Sequence, residues 1–228
     1  MHFARLFVTL QQEKKYLTLM EQQKKDFARM LLRIKAVKLS PRQPFTWASG
    51  WKSPIYCDNR KVNSFPDVRS YVKLELTHLV LSLYPEAEAI AGVATGAIAQ
   101  GALVADQLNL PYAYVRPKPK DHGMGNQIEG ELHPGMKVVV VEDLISTGGS
   151  SLKAVEALRG AGLEVIGMVA SHTYGFKVAE DAFKEAGVAL HTLTDYDHII
   201  AEAASSGYVS SDDLDTLAAW RKDPAGWQ

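Results

Sequence analysis

The sequence predicts an α/β fold in which a mainly parallel central sheet is flanked by helices. Two short runs show no polar alternation, AIAGV at 89–93 and VVVV at 138–141. Unbroken apolar strands of this kind fit a sheet covered on both faces. Each run passes through a glycine-containing turn into a segment with helical spacing, 97–108 after the first and 151–161 after the second. Strands alternating with helices make βαβ units and therefore parallel pairing.

In chain order, Met20 opens a strongly helical stretch, MEQQKKDFARMLLRIKAV, with Phe27, Met30, Leu31 and Ile34 on one face. Residues 1–19 are expected to be an extension outside the core, with Met20 as the natural start. The segment 41–60 is dense in aromatics, Pro and Gly and reads as a twisted hairpin or loop. A helix is expected over 68–83, then the strand 89–93, the helix 97–108 and a strand at 112–115. A long polar stretch, RPKPKDHGMGNQIEGELHPG, leads into a strand at 137–141. The helix 151–161, a strand at 163–171, a helix at 178–186 and a strand at 191–194 follow. DDLDTLAAWRKDP near the C-terminus reads as an amphipathic helix and a stop. The expected domains are the extension 1–19, a helix and hairpin unit 20–65, and a core 66–228.

The chain has 228 residues, 46% of them hydrophobic and 22% charged, which is ordinary for a globular protein. Its formal net charge is -1, so no global basic field favours nucleic acid or an anionic membrane. Any anion site must be local. Cys57 is the single cysteine, which excludes an intrachain disulfide and a cysteine metal cluster and suits a reducing cytoplasm. The start, MHFARLFVTL, carries no small-residue cleavage site, so no signal peptide is expected.

The chemistry is concentrated in VVVVEDLISTGGSS, residues 138–151. Ligands of open parallel sheets bind beyond the carboxyl ends of the strands, which is where Glu142 and Asp143 fall. Ser146, Thr147, Gly148, Gly149 and Ser150 then run into a helix. Close backbone approach at glycine, successive N–H groups and a helix N-terminus make a phosphate cradle. The loop is neither a Walker A sequence nor G-x-G-x-x-G. Carboxylates would repel a phosphate, so Glu142 and Asp143 suit sugar hydroxyls or a hydrated Mg2+.

Four apolar residues, two acids, two more apolar residues (Leu144 and Ile145) and a Thr/Gly-rich loop resemble the signature of the type I phosphoribosyltransferases. That resemblance implies their fold, with a small N-terminal hood over the sheet. It also implies binding of 5-phosphoribosyl 1-diphosphate (PRPP), the acids on the ribose hydroxyls and the loop on the 5′-phosphate. FTWASGWKSPIYCDNR (45–60) and YVRPKPKDHGMGNQIEGEL (114–132) are similar to blocks of the orotate phosphoribosyltransferases. The resemblance covers 20–228. It implies Mg2+-dependent transfer of a phosphoribosyl group from PRPP to orotate, with the metal held through PRPP and water rather than by protein ligands.

Within 114–132, Arg116, Lys118, Lys120 and His122 concentrate positive charge around one acid, Asp121, while Gly123 and Gly125 give hinge freedom. Such a segment suits a lid over a diphosphate. The resemblance implies that Arg116, Lys120 and His122 serve the site of a neighbouring subunit, hence a homodimer with composite sites. It gives Lys120, His122 and Asp143 catalytic roles, and it places the turn at Ala94, Thr95, Gly96 and Ala97 on the diphosphate. Orotate is expected at Ser49, Lys52, Tyr56 and Ser146. Some relatives carry Lys, Lys and Arg where this chain has Ala48, Thr95 and Tyr174. Trp47 and Trp51 are expected to pack the hood, and His78, His172, His191 and His198 to be structural. A purine phosphoribosyltransferase would lack the 45–60 block, and a nucleic-acid-binding regulator would show a basic face.

Overall fold

The computed structural model describes residues 2–47, 50–118 and 127–227, with side chains from residue 18 onward. Helix α1 (His2–Arg33) leads to β1 (Val37–Leu39), β2 (Phe45–Thr46), β3 (Lys52–Ser53) and β4 (Ile55–Cys57). A short 3-10 turn, Asn59–Ser64, precedes α2 (Pro66–Leu83). Then come β5 (Ala89–Val93), α3 (Ile98–Leu108), β6 (Tyr112–Val115) and β7 (Ile128–Glu129). The chain continues through β8 (Lys137–Ile145), α4 (Gly149–Gly160), β9 (Glu164–Thr173), α5 (Lys177–Glu185) and β10 (Leu190–Asp195). Helices α6 (Tyr196–Ser205) and α7 (Ser211–Lys222) complete it.

Six strands form the central sheet in the order β10-β9-β8-β5-β6-β7, and only the β6–β7 pair is antiparallel. Strand β8 shows why the sheet is buried on both sides. Val139 and Val141 enter the core beneath α1, α2 and α3, and Val138 and Val140 enter the core beneath α4 and α5. All four are fully buried. Strand order reverses between β5 and β8: β6 lies beyond β5 on one side, while β9 and β10 lie beyond β8 on the other. A crevice at the carboxyl ends of β5 and β8 is therefore the place where this topology leaves room for a ligand.

Segment 41–60 supplies β2, β3 and β4: β2 pairs antiparallel with β3, and β4 pairs antiparallel with β1 just upstream, as a hairpin-like region should. Aromatic packing fixes it to the core. Trp47 stacks on Trp51 and on Tyr174, and its Nε1 donates to the carbonyl of Ile55 at 3.1 Å. Trp220 of α7 donates to the carbonyl of Lys52 at 3.2 Å.

Three features differ from the sequence expectation. Helix α1 runs unbroken through Met20, because nothing between residues 2 and 33 is a Gly or Pro that would stop it. Strand β8 does not end at Val141. Its ladder with β9 continues through Glu142↔Ala170, Leu144↔His172 and Ile145↔Thr173, beyond the last β5 partner at Gly92↔Val141. Helix α6 was not expected; Asp195 caps it by accepting from the His198 N–H at 3.0 Å.

The α6 start also ties α6 to α1. His198 Nδ1 lies 2.6 Å from Asp195 Oδ1, and Nε2 lies 2.9 Å from Glu21 Oε2. Burial alone would lower the His198 pKa, but the two carboxylate contacts outweigh it and raise the pKa. A raised folded-state value means stabilisation that is fully present below the ordinary histidine pKa and lost as pH rises through the folded value. Thermal midpoints of wild type and His198→Gln are thus expected to differ most below the ordinary histidine pKa of about 6.5 and to converge as pH rises past the raised folded value. Parallel curves across that range would refute the tether.

Candidate active site at the sheet switch point

Two turns converge on the crevice. After β5 comes Ala94–Ala97, and helix α3 starts there with no side-chain cap. After β8 comes Ser146–Gly148, and α4 likewise starts without a side-chain cap. Both helices therefore offer open N–H groups and the positive ends of their dipoles to the same space. Gly148 takes φ +83°, a left-handed geometry, and a Cβ there would press on the Phe183 ring at 3.0 Å. Ser146 is half-buried, whereas Thr147, Gly149 and Ser150 are exposed, so the loop presents main chain and hydroxyls outward. A cavity of about 320 Å3 is lined by Ala94, Arg116, Gly149, Ser150 and Lys153, among others. Lys153, four residues past Gly149 on α4, is a cation that the sequence did not single out. A lysine inside a helix with an ordinary polar face carries no signal of its own.

The two acids, both expected at the ribose hydroxyls, differ in their surroundings. Glu142 is only 4% exposed. Its Oε2 accepts from Ser151 Oγ at 2.8 Å and its Oε1 accepts from the Asp143 N–H at 2.9 Å. Burial, and then the neighbouring Asp143 charge, push the Glu142 carboxyl well above the usual range. Strand alternation is the reason: extending β8 past Val141 turns Glu142 inward and leaves Asp143 at the crevice. The Asp143 carboxylate lies directly over Gly96 of the opposite turn, where a Cβ would overlap it. Burial raises its pKa too. Asp143 is thus the less buried of the two acids, held from behind by Glu142.

If Glu142 acts from inside, its charge is dispensable. Glu142→Gln can still accept from the Asp143 N–H and pair with Ser151. Its turnover is expected to stay within about threefold of wild type, while Glu142→Ala, which leaves Ser151 buried and unpaired, destabilises the protein by roughly 1–3 kcal/mol. Steady-state rates and thermal denaturation of both variants check this.

The family model for a phosphoribosyl transferase domain matches residues 79–200. The chain is 67% identical over 202 residues to an orotate phosphoribosyltransferase of Bacteroides fragilis, covering 89% of this chain and 95% of the relative. It is 52% identical over 203 residues to one from Listeria monocytogenes, covering 89% and 97%. The chain belongs to the orotate phosphoribosyltransferase family. The crystal structure of orotate phosphoribosyltransferase from Aeropyrum pernix superposes with a TM-score of 0.68 at 31% identity, covering 80% of this chain and 99% of that one.

Other orotate phosphoribosyltransferase positions expected from the sequence fall as follows. Lys52 is exposed and donates to Thr46 Oγ1 at 2.9 Å, and Tyr56 is 41% exposed with its ring against Phe45. Arg116 stands at the cavity wall and pairs with Glu129 of β7 at 3.3 Å. Leu144 is half-buried and Ile145 fully buried, so their side chains pack and only their main chain can serve a ligand. Lys120, His122, Ala48 and Ser49 lie outside the described residues. Tyr174 is 2% exposed, stacked between Trp47 and Phe176 and edge-on to Trp220. Thr95 is exposed at the turn.

Proposed function

We propose that the protein catalyses transfer of the phosphoribosyl group from PRPP to orotate, giving orotidine 5′-phosphate and diphosphate, in pyrimidine (UMP) biosynthesis. The observation that carries this is the meeting of Asp143, the uncapped α4 loop and the Ala94–Ala97 turn at the switch point of a chain in this family. Main-chain N–H groups and hydroxyls of Ser146–Ser150 take the 5′-phosphate, and Asp143 takes the ribose hydroxyls. The Ala94–Ala97 turn takes the diphosphate, beside Arg116.

The orotate ring nitrogen attacks C1 of the ribose as the C1–O bond to diphosphate breaks, the diphosphate leaving with the bonding pair. Positive charge develops on the sugar, as at other glycosidic centres. Asp143 lies where a negative group favours that charge. An acidic ring nitrogen needs little base assistance, so rate must come from alignment and from stabilising the leaving group. Lys120 and His122, with Arg116, supply cations from a lid lent by the partner subunit of a homodimer. Ser49, Lys52, Tyr56 and Ser146 border orotate.

The donor set fits a hard, hydrated ion. One available carboxylate with neighbouring hydroxyls suits Mg2+ carried mainly by phosphate oxygens and water. When bound, Mg2+ neutralises charge on the departing diphosphate. No described helix is long and apolar enough to cross a membrane; a cytoplasmic setting and the absence of a nucleic-acid partner are part of the same proposal.

Incubation with PRPP, Mg2+ and a panel of bases tests the assignment. Consumption of orotate alone supports it. Preferential consumption of adenine, hypoxanthine or uracil would overturn it.

A further inference from the structure

Asp143 occupies an unusual place in the sheet. Strand β5 ends at Val93, and its last β8 partner is Val141, so no strand flanks Asp143 on that side. In the β8–β9 register, Glu142 and Leu144 have partners while Asp143 is passed over. Its main-chain groups must be satisfied by something other than a strand. Two side chains do this. Glu142 accepts from the Asp143 N–H at 2.9 Å, and Asn59 Nδ2 donates to the Asp143 carbonyl at 2.5 Å.

Asn59 is 1% exposed and opens the 3-10 turn just after β4. The orientation of its amide follows from its neighbours. A carbonyl can only accept, so Nδ2 must face Asp143 and Oδ1 must face Cys57. Cys57 Sγ lies 3.1 Å from Asn59 Oδ1 and 3.7 Å from Nδ1 of the fully buried His172 on β9. Desolvation, with Asp143 and Asp58 adding to it, pushes the Cys57 thiol up and keeps it a donor. Burial lowers the His172 pKa to about 3 and keeps that ring neutral. A line of neutral groups therefore runs from β9 through the hood to the acid at the crevice.

We infer that Asn59 is a positioning residue for phosphoribosyl transfer, its amide fixing the Asp143 main chain so that the carboxylate is aimed at the ribose. This rests on the proposed PRPP reaction. It further implies that the hood, which borders orotate, is coupled to the ribose end through one side chain.

Wild type, Asn59→Leu and Cys57→Ala are compared for kcat, for KM with PRPP and with orotate, and for thermal midpoint. Asn59→Leu keeps the volume and loses the donor. Its kcat/KM for PRPP is expected to fall about tenfold, as for one hydrogen bond to a buried group, with KM for orotate changed less than about twofold. Cys57→Ala keeps the donor but frees the amide, so a loss of about threefold in the same direction is expected. Should Asn59→Leu fail to fold, Cys57→Ala decides alone. Unchanged kcat and PRPP KM in the folded variants, or a rise in KM shared equally by both substrates, would overturn the role of Asn59. A wild type that makes no orotidine 5′-phosphate would instead overturn the reaction itself, before any variant is compared.

Discussion

Gly96→Ala is expected to lose about a hundredfold or more in kcat/KM, the scale set by displacing a reacting group by about 1 Å. The added methyl would overlap all three carboxylate atoms of Asp143, so turning the carboxylate about its own bond is not enough and the whole side chain must swing away. Either the carboxylate leaves its place or the turn after β5 moves, and both disrupt the crevice. The fold itself should survive, since Gly96 is only half-buried at the mouth of the site. Steady-state kinetics with a thermal melt separate the two effects. Near-normal activity would mean that the apposition of the two turns is irrelevant to turnover.

Lys120→Ala is expected to lower kcat by roughly 10² or more, as for removal of one group stabilising charge in the transition state. If that lysine is lent by the partner subunit, the loss can be complemented. Mixing Lys120→Ala with Asp143→Asn subunits leaves one intact site in each mixed dimer, so random reassortment should restore about a quarter of wild-type activity. No recovery on mixing would place Lys120 and Asp143 in the same subunit's site. An unchanged rate for Lys120→Ala alone would remove the lid from the mechanism.

Much of the architecture was legible because it rests on local signals. VVVV and AIAGV announced buried parallel strands, and the glycines after each marked the turns that form the crevice. Tertiary pairing hid the rest. Nothing in VVVVEDLI shows that β9 would carry the ladder four residues beyond VVVV, and that extension is what turns Glu142 inward. Asn59 was equally invisible, since its partner is a main-chain carbonyl 84 residues away. Tyr174 lies in a stretch with no periodic signal of its own, and only packing shows it buried among Trp47, Phe176 and Trp220. Helix α6 was missed because its start is a single capping aspartate that directly ends a strand.

Soaking PRPP and Mg2+ into crystals of the protein addresses the central claim most directly. The account predicts ribose hydroxyls on the Asp143 carboxylate and the 5′-phosphate against the N–H groups of Thr147–Ser150. Density for PRPP elsewhere, for instance in the 500 Å3 groove between α1, α2 and β10, with none at Asp143, would contradict it.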